Sequence, residues 1–458
     1  MASTTTFSLC PALRRGRTAW LLAATAIALW CAVAGTAGAA TTPAFTNYPA
    51  PPPLGQDAGE PSIGIDWKTD QVLYQAGLQT LKVDFSSAAP AWRDVSSTIT
   101  SLQGLDPILF TDHSTGRTFV SQLLGACSLM AFSDDDGASW TQNPLGCGIG
   151  AAADHQTVGG GPFHVGVLGP LTGYQHSVYY CAQAVVSAQC SVSQTGGAVF
   201  DPATSIYNMT QCNGLHGHLK VGPDGTAYVP NADCGGLAAA VTSTDNGLTW
   251  KADAVPGSST QDESDPSIGV GSGGSVYLGY QGKDGHAYIS VKRPGGTWTT
   301  PTDVGAALGI QNVQFPAVVA GDDDRASFAF LGTTTGGDDQ AATFAGAWHL
   351  YVATTYDGGA SWSTVDATPT DPVQRGCIWL GGGSNTCRNL LDFIGSEIDS
   401  HGQVHVAYAD GCTASCPSGG TNTHSALATI ARQTAGTGLL SAFDPPLATP
   451  ASTPSGGH

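Results

Sequence analysis

Ser133-Asp134-Asp135-Asp136-Gly137-Ala138-Ser139-Trp140 is the cleanest of three copies of one eight-residue phrase. The others are Ser243-Thr244-Asp245-Asn246-Gly247-Leu248-Thr249-Trp250 and Thr355-Tyr356-Asp357-Gly358-Gly359-Ala360-Ser361-Trp362. Each has Ser or Thr, Asp two residues later, Gly two after that and Trp three further on, and each follows an apolar run. That spacing predicts a strand, a tight turn and a second strand. The hydroxyl and carboxylate accept backbone N–H bonds, Gly supplies a left-handed backbone, and Trp returns the chain to apolar surroundings. The turn consumes these residues, so the phrase decides fold and not chemistry.

Working outward, the phrase closes units spaced by about 50 residues, a period that suits four-stranded blades. The first runs from Glu60-Pro61-Ser62-Ile63 to Trp92, and the second from Asp106-Pro107-Ile108 to Trp140. The third runs from Asp154-His155-Gln156 to Phe200, with Thr195 in place of the Asp and Phe200 in place of the Trp. The fourth spans His216 to Trp250, and the fifth Asp265-Pro266-Ser267 to Trp298. The sixth spans Gln314-Phe315-Pro316 to Trp362, with an inserted Gly336-Gly337-Asp338-Asp339, and the seventh runs from Leu391-Asp392 to about Arg432. Each unit leaves strand edges that it cannot bury alone, so a closed ring is expected, with the segment from Phe45 to Tyr48 as its closing strand. The fold class predicted is all-β, a seven-bladed β-propeller.

Residues 1–40 have the pattern of an export signal: Arg14, Arg15 and Arg17, an apolar run, then small residues up to Ala40. Residues 41–445 then form the propeller, and residues 446–458, rich in Pro, Ser and Gly, a disordered tail. Without the signal, Lys+Arg falls from 16 to 13 against 35 Asp+Glu, a net charge of 13 − 35 = −22. So acidic a chain is a poor partner for nucleic acid or an anionic membrane, and no later segment is apolar enough to span a bilayer. The expectation is a secreted monomer, extracellular or periplasmic.

Ten cysteines outside the signal fall into neighbouring couples: Cys127 with Cys147, Cys181 with Cys190, Cys212 with Cys234, Cys377 with Cys387, and Cys412 with Cys416. Local disulfides in an oxidising compartment are expected. The spacing of Cys412 and Cys416 also fits zinc, but no second pair accompanies it.

In a propeller the first strand of each blade lines the axis. Residues at the starts of those strands ring one mouth of the channel: Glu60, Asp106, Asp154, His216, Asp265, Gln314 and Asp392, with His155, His218, Lys220 and Glu263 beside them. Carboxylates so crowded must be protonated, paired or bound to a cation, which shifts pKa values as acid and base catalysts require. Asp before Pro at a strand start is also ordinary turn chemistry. The alternation of His216 and His218 places both imidazoles on one face of a strand, as metal ligands, catalysts or buried structural histidines. The loop from Arg375 to Asp392 carries Cys377, Trp379, Cys387 and Arg388, and two guanidiniums beside an indole suit an anionic sugar. No cofactor is required; a divalent cation is compatible with the acidic ring, and no metal ligand set is assigned.

The repeated phrase resembles the Asp-box, or BNR repeat, of the sialidase (neuraminidase) superfamily, and the resemblance spans residues 55 to 435. It implies a propeller, six-bladed in sialidases proper, which is the alternative to seven blades here. It also implies an exo-α-sialidase site with three Arg on the substrate carboxylate, a Tyr nucleophile assisted by Glu and an Asp acid/base. The family's Arg-Ile-Pro motif is absent. Seven Arg remain outside the signal, of which only Arg375 and Arg388 are expected at the mouth, and no Tyr matches the nucleophile. Two functions follow as expectations. One is a secreted sialidase-like glycoside hydrolase acting on an extracellular glycan or glycoprotein. It has Asp106, Asp154, Asp265 and Asp392 as catalytic carboxylates, and Glu60, His155, His216, His218, Gln314, Arg375 and Arg388 as substrate-binding residues. The other is a non-catalytic propeller that binds glycan, protein or a cation at the same mouth.

Overall fold

The computed structural model describes residues 40–444, except 126, 147–153, 167, 185–186 and 262–263, and the backbone alone at 214 and 215. Seven antiparallel sheets follow one another along the chain, each a blade. The innermost strands are Ser62–Asp66, Leu105–Thr111, Asp154–Pro162, Asn213–His216 continued by Lys220–Val221, Ser267–Val270, Asn312–Ala320 and Gly395–Ile398. In the first six blades three further strands follow in sequence order. The seventh takes its outermost strand from the other end of the chain: Ala44–Pro49 pairs antiparallel with Leu427–Ala435, Tyr48 opposite Ile430. The ring is closed by the segment expected to close it, and the blades number seven.

Alternation along the strands sends apolar side chains into the gaps between blades, where the cores form. Leu73, Leu109 and Val120 fill the first, Phe119, Met130 and Val178 the second, and Tyr179, Val192 and Val229 the third. Ile268 and Leu278 pack against Ala240 in the fourth, and Tyr277, Ile289 and Phe328 fill the fifth. The largest cluster joins the sixth, seventh and first blades around Trp348, Tyr408 and Tyr74. Burial of apolar area on both faces of each sheet is the main stabilising term of such a ring.

The repeated phrase forms the predicted turn between the third and fourth strands. The Ser133 hydroxyl donates to Asp135 Oδ1 at 2.8 Å and accepts from Gly137 N at 2.9 Å, while Asp135 Oδ1 accepts from Ser139 N at 2.8 Å. Asp245 and Asp357 do the same with Thr249 and Ser361. In the third blade the Thr195 hydroxyl takes over, accepting from Val199 N at 2.9 Å. The glycine does more than turn the chain. Gly137, Gly197, Gly247 and Gly359 have φ of 82°, 88°, 83° and 86°, and a Cβ on each would lie 2.6 Å from a side chain of the preceding blade. The turn is therefore also a joint between neighbouring blades.

Four of the expected disulfides are present: Cys181–Cys190, Cys212–Cys234, Cys377–Cys387 and Cys412–Cys416. Cys147 of the fifth couple lies outside the described residues, as do Glu263, residues 1–39, where an export signal is expected, and the expected tail. Among the described residues no helix is long and apolar enough to cross a membrane.

Candidate functional site: an acidic mouth and an axial cup

The strand starts share a backbone device. Glu60, Asp106, His155, Phe315 and Leu391 have positive φ, between 42° and 59°, just before or at the beginning of five inner strands. Register shifts follow at Leu105/Ile108, Asp154/Gln156, Asn213/His216 and Gln314/Ala317. Left-handed backbone in non-glycine residues is strained and is tolerated where the surroundings impose it. It also corrects the sequence alignment by one residue in two blades. His155 and Phe315 occupy the position that Glu60 and Asp106 hold, so Asp154 and Gln314 stand one residue to the side.

His155 is the hub. Its backbone N–H lies 3.1 Å from Asp106 Oδ2 and 3.1 Å from Asp154 Oδ1. Its ring places Nδ1 3.6 Å from Asp265 Oδ2 and Nε2 3.9 Å from Asp154 Oδ2. Burial disfavours the imidazolium, but Asp265, Asp154 and Asp106 together carry its pKa up to about 10. His216 lies edge-on to it, ring centres 6.3 Å apart. Burial, then the His155 charge, pushes His216 down to about 4. Its Nδ1–H donates to Gly217 O at 3.2 Å, leaving a buried Nε2 without a partner.

The carboxyls divide. Burial lifts Glu60 well above its ordinary value, with Asp106 and Asp392 adding to the effect. Burial also raises Asp106 to about 6, opposed by His155 and assisted by Asp154 and Asp392. Asp392 is forked by Arg388, Nη1 to Oδ1 at 2.5 Å and Nη2 to Oδ2 at 2.6 Å. Asp154 sits at the rim with its side chain 61% exposed, whereas that of Asp265 is 8% exposed. Five carboxyls from five blades thus influence one another in one electrostatic network that also holds His155 and Arg388. Gln156 fixes the floor by donating to Asp106 O at 2.6 Å.

Three expectations are corrected. Arg375 does not face the mouth: it donates to Cys416 O at 3.0 Å and Pro417 O at 3.3 Å, holding the disulfide loop of the seventh blade. Arg388 is at the mouth, but its fork is filled by Asp392, so no pair of arginines awaits an anionic sugar. His216 and His218 are not successive residues of one strand, because pairing breaks between His216 and Lys220. His218 instead packs edge-on against Phe393 at 4.5 Å, where burial drives it down to about 3. Gln314 donates to Asp339 Oδ2 at 2.9 Å, which brings the inserted loop of the sixth blade to this strand. Among the described residues no three His, Cys, Asp or Glu side chains are disposed to hold a metal ion.

Along the axis the channel narrows to a void of about 40 Å³ bordered by Ile63, Leu109, His218 and Lys220. It then opens at the opposite mouth into a cup of about 490 Å³ to which all seven blades contribute. Glu397 lies at its floor, 3.4 Å from His113 Nε2 and 3.8 Å from Lys220 Nζ. Burial opposes its charge, yet His113 and Lys220 bring its pKa down to about 2. Trp67 stacks on His113, centres 4.4 Å apart, and donates to Ile398 O. At the rim Asp112 accepts from Tyr174, His176 and Ser114 at 2.6, 2.8 and 2.9 Å. The sequence reading missed this cup. Its polar residues end the inner strands or follow them, and the signal was a charged or aromatic residue at that offset in Trp67, His113 and Glu397.

No protein-family model matches the chain, and no curated protein matches it either. Solved structures do. The GH74 enzyme of Niastella koreensis is 16% identical with a TM-score of 0.47, covering 80% of this chain and 53% of its own. A protein of unknown function from Dyadobacter fermentans is 14% identical with a TM-score of 0.43, covering 86% and 99%. A Hadza microbial sialidase is 14% identical with a TM-score of 0.35, covering 82% and 65%. The likeness to each is distant, and it is the seven sheets of the chain itself that make it a seven-bladed β-propeller.

Proposed function

We propose that this protein is a secreted glycan-directed propeller whose acidic mouth is a glycoside hydrolase site for neutral glycans. The observation that carries the reading is the sharing of one N–H, that of His155, by Asp106 and Asp154. Each carboxylate oxygen is 3.1 Å from that nitrogen, so the two lie within about twice that distance of each other. Paired carboxyls at such separations are what glycosidic cleavage uses, one as acid and one as base or nucleophile. Their environments differ in the sense the chemistry needs. Asp106, raised to about 6, keeps a proton for the leaving oxygen, while Asp154 stands exposed at the rim to meet water or the anomeric carbon. Asp154 and Asp392 add to the Asp106 shift, and Asp265 is the foremost of the carboxylates that raise His155.

The resemblance to sialidases suggested an anionic sugar. With Arg375 turned away and Arg388 filled by Asp392, the balance of the mouth disfavours a substrate carboxylate, and a neutral sugar is the better fit. Local disulfides favour an extracellular setting. A second reading, a non-catalytic glycan-binding propeller, is favoured by the constriction of the axis just below the mouth. Assay of the secreted protein on neutral glycosides and sialosides separates the two. Hydrolysis of a neutral glycoside with a poor leaving group that Asp106→Asn and Asp154→Asn each slow by about a hundredfold or more supports the enzyme, whereas binding without turnover, unchanged in both variants, overturns it.

A further inference from the structure

The axial cup at the opposite mouth is a second site, independent of the acidic one. Its floor is an under-bonded polar set. Glu397 is 6% exposed, and among the described residues its carboxylate accepts from its neighbour, Ile398 N, at 3.2 Å, with His113 and Lys220 standing farther off. Lys220 Nζ stands 3.8 Å away, beyond hydrogen-bond range, and His113 Nε2 is buried without a hydrogen-bond partner although Glu397 Oε1 is 3.4 Å from it. Buried polar groups left at such distances are normally completed by a further group between them. Above this floor the walls are apolar, with Val221, Val270, Val318 and Leu440 facing a space of about 490 Å³, the size of a small-molecule site. At the rim the Asp112 carboxylate is already engaged by His176, Tyr174 and Ser114.

The floor also states what it accepts. The floor sets one carboxylate against one ammonium with the His113 imidazole beside them, so a ligand anion would face Glu397 and a ligand cation would face Lys220. A hydroxyl satisfies both, donating to Glu397 and accepting from Lys220. We propose that the axial cup binds an uncharged small molecule with an apolar body and a hydroxyl-bearing end, the hydroxyl seated between Glu397 and Lys220 and the body against the valine and leucine walls.

The test is calorimetric titration of the full secreted protein with three probes of one shape: 4-phenylbutan-1-ol, 4-phenylbutyrate and 4-phenylbutylamine. The alcohol is expected to bind one per chain, about tenfold tighter than either charged probe. Lys220→Met is expected to weaken the alcohol about tenfold and Leu440→Trp, at the half-exposed rim, to block it, with unchanged thermal melts establishing that both variants fold. The proposal is overturned if no probe binds at millimolar concentration, if a charged probe matches the alcohol, or if Leu440→Trp binds it as the native protein does.

Discussion

Arg388 holds both carboxylate oxygens of Asp392, at 2.5 and 2.6 Å, and this fork is what admits a further acid beside Glu60 and Asp106. Removing the guanidinium leaves a carboxylate facing two others. Arg388→Met is therefore expected to lose about 3 kcal/mol of stability at neutral pH. Much of that loss should disappear in the double variant Arg388→Met/Asp392→Asn. Urea unfolding of the single and double variants measures the coupling, and additive losses would remove the pair from the account.

His155 gives the stability a pH dependence of defined sign. Its pKa is raised on folding from 6.5 to about 10, so its contribution is complete below 6.5 and is lost as pH rises toward 10. The melting temperature of the native protein should fall across that window. His155→Gln should be less stable at pH 6.5 and should show a flatter profile above it. Parallel profiles for the two proteins would mean that the imidazolium does not stabilise the mouth.

Asp106 acts in the proposed reaction as a proton donor, so the rate should decline as pH rises through about 6. Asp106→Asn should slow glycosides with poor leaving groups by about a hundredfold or more. Nitrophenyl glycosides, whose leaving group needs no proton, should be spared by comparison. Asp154→Asn should slow both kinds alike, and equal behaviour of the two variants on the two substrates would reject the assignment of roles.

The turn glycines offer a test of the joint between blades. Gly247 combines a φ of 83° with a Cβ position 2.6 Å from Val192 Cγ2, whereas Gly257, φ 78°, has nothing within 4 Å. Gly257→Ala isolates the backbone cost, about 1 kcal/mol. Gly247→Ala adds displacement of the preceding blade and should cost about 2 to 4 kcal/mol in chemical denaturation. Similar losses in both would reduce the phrase to a turn.

Much of the architecture was legible because it repeats. Ser133, Asp135, Gly137 and Trp140 state a local turn whose bonds lie within eight residues, and three copies fixed the register that located Glu60, Asp106 and Asp265. Phe45 to Tyr48 was recognisable as a spare strand in a ring that needs one. What escaped was long-range. Arg375 reads as a cation facing the channel, and only the fold supplies the carbonyls of Cys416 and Pro417 that claim it. The one-residue offset at His155 and Phe315 comes from left-handed backbone that no side-chain pattern announces. Lys220 and Glu397 are 177 positions apart in sequence, 397 − 220, and face each other only because the ring closes.

That closure orders events in time. The strand Ala44–Pro49 is made early in synthesis, yet its partner Leu427–Ala435 comes last, so the early segment must wait unpaired for nearly the whole chain. Until then the first and seventh blades cannot share Tyr74, Tyr408 and Ile430 in one core, and Glu60 lacks Asp392 and Arg388. Loop entropy sets the delay, and the acidic mouth is assembled by the final pairing. A chain halted before its seventh blade would carry most of its strands in place without the carboxyls of the mouth or the floor of the cup being brought together, so the seam that completes the ring also sets when these groups meet.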